Sequence, residues 1–212
     1  MWKAKKMSSG GVLRVAALTL ALDVVTVATA HAHHAMGGKT PETLMQGLLS
    51  GLGHPVIGLD HLAFIVAMGV AVGVAGLSLA IPLLFVAASA VGVALHVRGL
   101  QLPVVELVVA ASVLVAGATI ALGRSVQAWV WGALFAVAGL FHGYAFGESI
   151  FGAEQTPLAG YLAGLVIVQA ALATVVALVA RRGGAGAIQP RLAGATIAGI
   201  GLAILAGQLF PA

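Results

Sequence analysis

The chain of 212 residues contains no cysteine. Disulfide bridges and thiolate metal sites are therefore excluded, and any metal ligand must come from His, Asp, Glu, Met or the backbone. Charge is also scarce. Only 8% of residues are Asp, Glu, Lys or Arg, against about 25% in a typical soluble domain. No Walker A sequence occurs, which excludes ATP hydrolysis of that type. Apolar residues fill the chain instead, at 61%, with a mean hydropathy of +1.11. Length is then better counted in spans of about 20 residues than in soluble domains. The 29 glycines would weaken soluble helices but allow close helix contact in lipid.

At the N-terminus, Lys3, Lys5, Lys6 and Arg14 lead into an apolar run from Val15 to Leu22 and then Ala28-Thr29-Ala30. This pattern reads as a cleavable signal peptide over residues 1–30 with an A-x-A site. The alternative is an uncleaved first helix, which Asp23 disfavours. Cleavage removes four basic residues and one acid, so the formal net charge falls from +4 to +1. The basic pI therefore implies no nucleic-acid partner. Cleavage after Ala30 exposes His31-Ala32-His33-His34, where a free amine and an imidazole at the third position can chelate a square-planar ion. His31, His33 and His34 are thus either a metal-capture tail or a dispensable one.

Pro41, Pro55, Pro82, Pro103, Pro157 and Pro190 each stand near the start of an apolar segment, where a missing N–H does no harm. The runs over about 55–76, 80–97, 103–122, 127–146, 157–180 and 190–210 predict an all-α integral membrane protein of six transmembrane helices. Residues 31–54 form a His-containing tail with a short surface helix at about 41–52, and residues 55–212 the six-span domain. Gly69-x-x-x-Gly73, Gly139-x-x-x-Gly143 and Gly160-x-x-x-Gly164 read as packing signals. Arg124, Arg181, Arg182 and Arg191 fall at one membrane side and Arg98 at the other. The excess puts both mature termini outside.

With that topology, His54, Asp60, His61, His96, Glu106, His142 and Glu148 come from four spans to the outer face, which suggests an outward-facing vestibule. Ionisable groups at this depth are costly and mark pathways or sites, and imidazole with carboxylate suits divalent transition metals. If Pro55 is the first helical residue, His54 is near the N-cap and His61 lies about 10 Å further along the axis. As a rigid helix the two imidazoles cannot share one ion; they form successive stations, or share one if the first turn is irregular. Asp60 either approaches a neighbouring helix or holds a ligating imidazole. Other readings stand beside these: His96 as a structural hydrogen-bond partner, Arg98 and Glu106 as an ion pair, and Gln169 as either a carbonyl ligand on the route inward or an interhelical hydrogen bond.

The string His54-Pro55-x-x-Gly58-x-Asp60-His61, after a signal peptide and before six hydrophobic spans, resembles the HupE/UreJ family. The likeness extends through the Glu106 region and Phe141-His142-Gly143-Tyr144-Ala145-Phe146-Gly147-Glu148. Many members read His-Gly-x-Ala-His-Gly-x-Glu there. Phe146 stands in place of the second histidine, and Ser149 takes the usual glutamate place, with Glu148 one position earlier. The resemblance implies a bacterial nickel or cobalt permease of the cytoplasmic membrane, with His54, Asp60, His61 and Glu106 important for transport.

The expected function is uptake of Ni²⁺ or Co²⁺ as cargo, with no tightly bound cofactor. The expected partners are the metal ion and membrane lipid, with a homo-oligomer left open. The alternatives are an intramembrane zinc hydrolase and a metal-binding accessory subunit without transport.

Overall fold

The computed structural model describes residues 39–183 and 188–210. The expected signal peptide, with His31, His33 and His34, lies outside them. The described residues form seven α-helices and one short 3₁₀ turn, with no strand. They are α1 (Leu44–Ile57), α2 (Leu59–Val74), α3 (Pro82–Val97), α4 (Val105–Ala121), α5 (Ala128–Phe146), the 3₁₀ turn Gly147–Ile150, α6 (Gln155–Gly183) and α7 (Ile188–Leu209).

Three stretches, Ala128–Ile150, Gln155–Arg182 and Ile188–Leu209, are long and apolar enough to cross a bilayer. α1 and α2 together form a fourth candidate, bent by 78° at a break between them. α3 and α4 are apolar but shorter, at 16 and 17 residues. Large apolar side chains such as Leu83, Val115, Val137, Ile167, Val175 and Leu202 are exposed along these helices, as a lipid-facing surface requires.

Close helix contact is built on glycine. A Cβ on Gly47 would fall 2.0 Å from the Pro157 carbonyl oxygen, and one on Gly51 2.1 Å from that of Tyr161. Reciprocally, Gly160 and Gly164 lie against the Leu44 and Leu48 carbonyls. α1 and α6 thus meet backbone to backbone. The same device joins α3 to α5, through Gly92, Gly139 and Gly143, and α4 to α7, through Gly117, Gly194 and Gly201. α2 packs Gly69 and Gly73 against residues 173–180 of α6. Twelve of its 16 residues are buried, among them Phe64, Ile65, Met68 and Val72, which form the core with Phe85, Val113 and Phe135.

Two expectations change. The short surface helix at about 41–52 is a longer helix, 44–57, with Gly47, Ser50, Gly51, His54 and Pro55 buried. It begins with a capping box between Thr43 and Gln46 and is held down by its glycine face. Pro55 does not open a span. It sits inside the last turn of α1, and the chain breaks three residues later at Gly58, which closes α1 by donating its N–H to the His54 carbonyl (3.1 Å). Residue numbers rise together along α1 and α6, and again along α2 and α6. α1 and α2 therefore run beside the continuous α6 as one discontinuous segment.

Candidate ion-binding site

The break at Gly58 places the carbonyl end of α1 against the amide end of α2. The first carries partial negative charge and the second partial positive charge. His54 lies in the last turn of α1 and Asp60 in the first turn of α2. The Asp60 carboxylate accepts the backbone N–H of His61 (2.8 Å), and Asp60 Oδ1 stands 3.9 Å from His61 Nε2. Because of the bend, the His54 and His61 rings are 5.7 Å apart, edge to face. A straight helix would have kept them about 10 Å apart along its axis.

His142 of α5 completes the group. Its Nδ1 is 2.8 Å from His61 Nδ1, and its Nε2 is 2.9 Å from Ser112 Oγ of α4. Proton counting orders this chain. Ser112 gives its single hydroxyl proton to the Val109 carbonyl (2.7 Å), so it accepts from His142 Nε2–H. His142 Nδ1 then carries the lone pair and accepts from His61 Nδ1–H, which makes Nε2 the lone-pair nitrogen of His61. Tyr161 of α6 does the same for His54. Its hydroxyl donates to the Phe146 carbonyl (2.7 Å) and accepts from His54 Nδ1–H (2.9 Å), so the lone pair of His54 is also on Nε2. A histidine whose Nδ1–H is held in this way is oriented as a metal ligand through Nε2.

The walls are aromatic. Phe146 packs 4.3 Å from the His61 ring and 5.2 Å from the His54 ring, centre to centre. Phe64 and Phe85 pack on His142 at 4.9 and 5.5 Å. His54, His61 and His142 are at most 2% exposed. The expected open vestibule is thus a closed cluster of His54, Asp60, His61 and His142 in the interior of the helix bundle.

The other expected ligands lie at or near helix ends. Glu106 is exposed in the first turn of α4, and Glu148 is exposed in the 3₁₀ turn after α5. His96 is half-buried at the end of α3, packed on Tyr144 and Phe151 with ring centres 4.6 and 5.6 Å away. Its Nδ1 is buried without a hydrogen-bond partner among the described residues. Ser149, in the expected glutamate place, is buried. Among the described residues, no three His, Asp or Glu side chains are arranged to hold one ion together.

Tyr161 and Ser112, which orient the imidazoles, were not anticipated. A partial signal was present: each is a hydroxyl within a largely apolar span, and Tyr161 is one of only two tyrosines in the chain.

Neither the curated proteins nor the solved structures contain a match. The model of the HupE / UreJ protein family matches residues 18–204, a stretch that includes every residue of the cluster and all but the last turn of the helical bundle. The chain belongs to the HupE/UreJ family, a transporter-type family associated with nickel and cobalt.

Proposed function

We propose that the protein is a permease that carries Ni²⁺ or Co²⁺ inward across the bacterial cytoplasmic membrane, through the His54–His61–His142 cluster. The observation that carries this reading is the break at Gly58. It turns a motif that a straight helix would spread over two turns into a pair of imidazoles with ring centres 5.7 Å apart. An ion about 2.1 Å from each of two imidazole nitrogens lies roughly 3 Å from each ring centre, so two such rings can share one ion. Discontinuous helices that pair a carbonyl end with an amide end are a recurrent way to bind ions within transporters. The carbonyl end of α1 favours the cation, and Asp60, seated at the amide end of α2, adds a carboxylate beside His61.

Binding by pairs of neutral imidazoles suits transit. Each station replaces part of the hydration shell and still releases the ion. His142 spends both ring nitrogens on hydrogen bonds, to His61 and to Ser112, so its part is to hold His61 in place. The six crossing segments are then α1 with α2 as one broken span, α3, α4, α5, α6 and α7, with the mature N-terminus outside. α3 and α4, at 16 and 17 residues, match a locally thinned bilayer or stand nearly upright.

Proteoliposomes holding the purified protein should take up Ni²⁺ or Co²⁺ from the medium. His61→Ala should abolish most of that flux. Wild-type flux in the His61→Ala variant would sink the site assignment, and no flux from the wild-type protein would sink the permease reading.

A further inference from the structure

Ser89 of α3 and Gln169 of α6 are buried polar residues in apolar helices, at 2% and 0% exposure. Ser89 Oγ stands 2.9 Å from the Val86 carbonyl and 3.1 Å from one end of the Gln169 amide, its Oε1. The other end of that amide, Nε2, is buried without a hydrogen-bond partner. A hydroxyl has one proton and cannot serve both acceptors. The two ends of an amide differ only in which carries the protons, and the network decides between them. With the Ser89 proton on the Val86 carbonyl, a half-turn of the amide makes the Gln169 NH₂ the donor to Ser89 Oγ. The amide carbonyl then becomes the partnerless end. The Ser89 hydroxyl and one of the two amide N–H groups are then used, and a carbonyl oxygen with two lone pairs is left buried.

A bare carbonyl in a hydrocarbon setting is costly unless something electropositive visits it. We propose that Gln169 and Ser89 form a second, oxygen-donor station for a partly hydrated divalent cation, beside the histidine cluster on its way toward Arg181. The placement supports this. Ser89 lies against Gly143, whose Cβ would fall 2.1 Å from the Ser89 carbonyl oxygen, and Gly143 follows His142. Gln169 lies eight residues past Tyr161, about 12 Å further along α6. Neutral oxygens hold nickel or cobalt more weakly than imidazole does, which lets an ion move on from the histidines and leave. This inference rests on the permease reading.

The test separates flux from binding. Purified protein in proteoliposomes is assayed for Co²⁺ flux, and in detergent for Co²⁺ affinity and stoichiometry by its visible absorption. Gln169→Leu and Ser89→Ala should each lower flux at least tenfold while Co²⁺ affinity at the histidines stays within about twofold. Gln169→Glu, which keeps the oxygen and adds charge, should bind one more Co²⁺ per chain than the wild type. Wild-type flux in Gln169→Leu overturns the station and leaves the permease reading intact. Parallel loss of affinity and flux in both Gln169→Leu and Ser89→Ala assigns the pair a purely structural hydrogen bond and overturns it as well. If the wild-type protein shows no flux, the permease reading fails, and the stoichiometry of Gln169→Glu still decides the station: an unchanged value overturns it.

Discussion

Two of the three imidazoles of the cluster owe their orientation to a hydroxyl on another helix, and the third, His61, is held by His142. Ser112 fixes His142, and Tyr161 fixes His54. Partners that orient a metal-binding histidine typically contribute 10–100-fold to affinity. Tyr161→Phe should therefore weaken Co²⁺ binding by about tenfold, and the lost bonds should lower stability by roughly 1–3 kcal/mol. Titration of the visible absorption and thermal unfolding in detergent measure the two effects; unchanged affinity would show that His54 is held by other means. Phe146 is the complementary case. Its ring packs against both His54 and His61. Phe146→His puts a further imidazole beside them, and Co²⁺ affinity should rise, because imidazole is a ligand suited to this class of metal. The same titration checks this, and a weaker site would mean that the ring serves as packing alone.

At the scale of elements, the helix break is set by packing. Gly58 has φ −72° and ψ 110°, which any residue can adopt, so glycine is required there for space. A Cβ would come 2.6 Å from His61 Cδ2. Gly58→Ala should keep the fold and displace the His61 ring, lowering Co²⁺ affinity about tenfold with an unfolding midpoint near that of the wild type; an unchanged affinity would refute the crowding argument. Gly51→Ala acts elsewhere. Its methyl would meet the backbone oxygen of Tyr161 at 2.1 Å, and overpacking of this kind costs about 1–3 kcal/mol. The control is Gly199→Ala, exposed in α7 with nothing within 4 Å, which should be neutral or stabilising by about 0.5–1 kcal/mol. Comparing the two in detergent unfolding tests whether α1 is held on α6 by its glycine face.

The same contrast explains what was legible in the sequence. The apolar runs and prolines located the helices to within a few residues, because lipid exposure leaves a compositional record. All three paired glycines singled out, 69/73, 139/143 and 160/164, lie at backbone contacts. Gly47 and Gly51, which seat α1, are spaced in the same way but lie in a segment read as a surface helix. The break at Gly58 was hidden, since Pro55 fits the first turn of a helix as readily as the last turn of another, and only the docking of α1 on α6 selects the second. The cluster was legible in His54, Asp60, His61 and His142. Glu106, Glu148 and His96 were named by their level along the helices, and the structure places them at helix ends.

For the whole molecule, Arg124, Arg181, Arg182 and Arg191 fall at the opposite helix ends from His96 and His142, with Arg98 alone beside His96. The Arg181 guanidinium donates to the Leu77 carbonyl just past α2, and Arg191 Nε to the Ala121 carbonyl that ends α4 (3.0 Å). Basic groups on the last carbonyls of helices oppose the helix dipole, and they tie the 75–81 and 122–127 connections to the same end. An excess of arginine on one side predicts that this side faces the cytoplasm. The absence of cysteine makes the prediction directly measurable, because a single introduced thiol has no background. Gln101 lies exposed in the connection between α3 and α4, and Ser125 exposed in the one between α4 and α5. In intact spheroplasts, a membrane-impermeant maleimide should label Gln101→Cys and leave Ser125→Cys unreacted until the membrane is permeabilised. The reverse pattern would turn the molecule over, so that the carbonyl end of α1 and its histidines receive the ion from the cytoplasm and the transport direction becomes export. Equal labelling of both would place the two connections on one side of the membrane and remove α4 as a crossing helix.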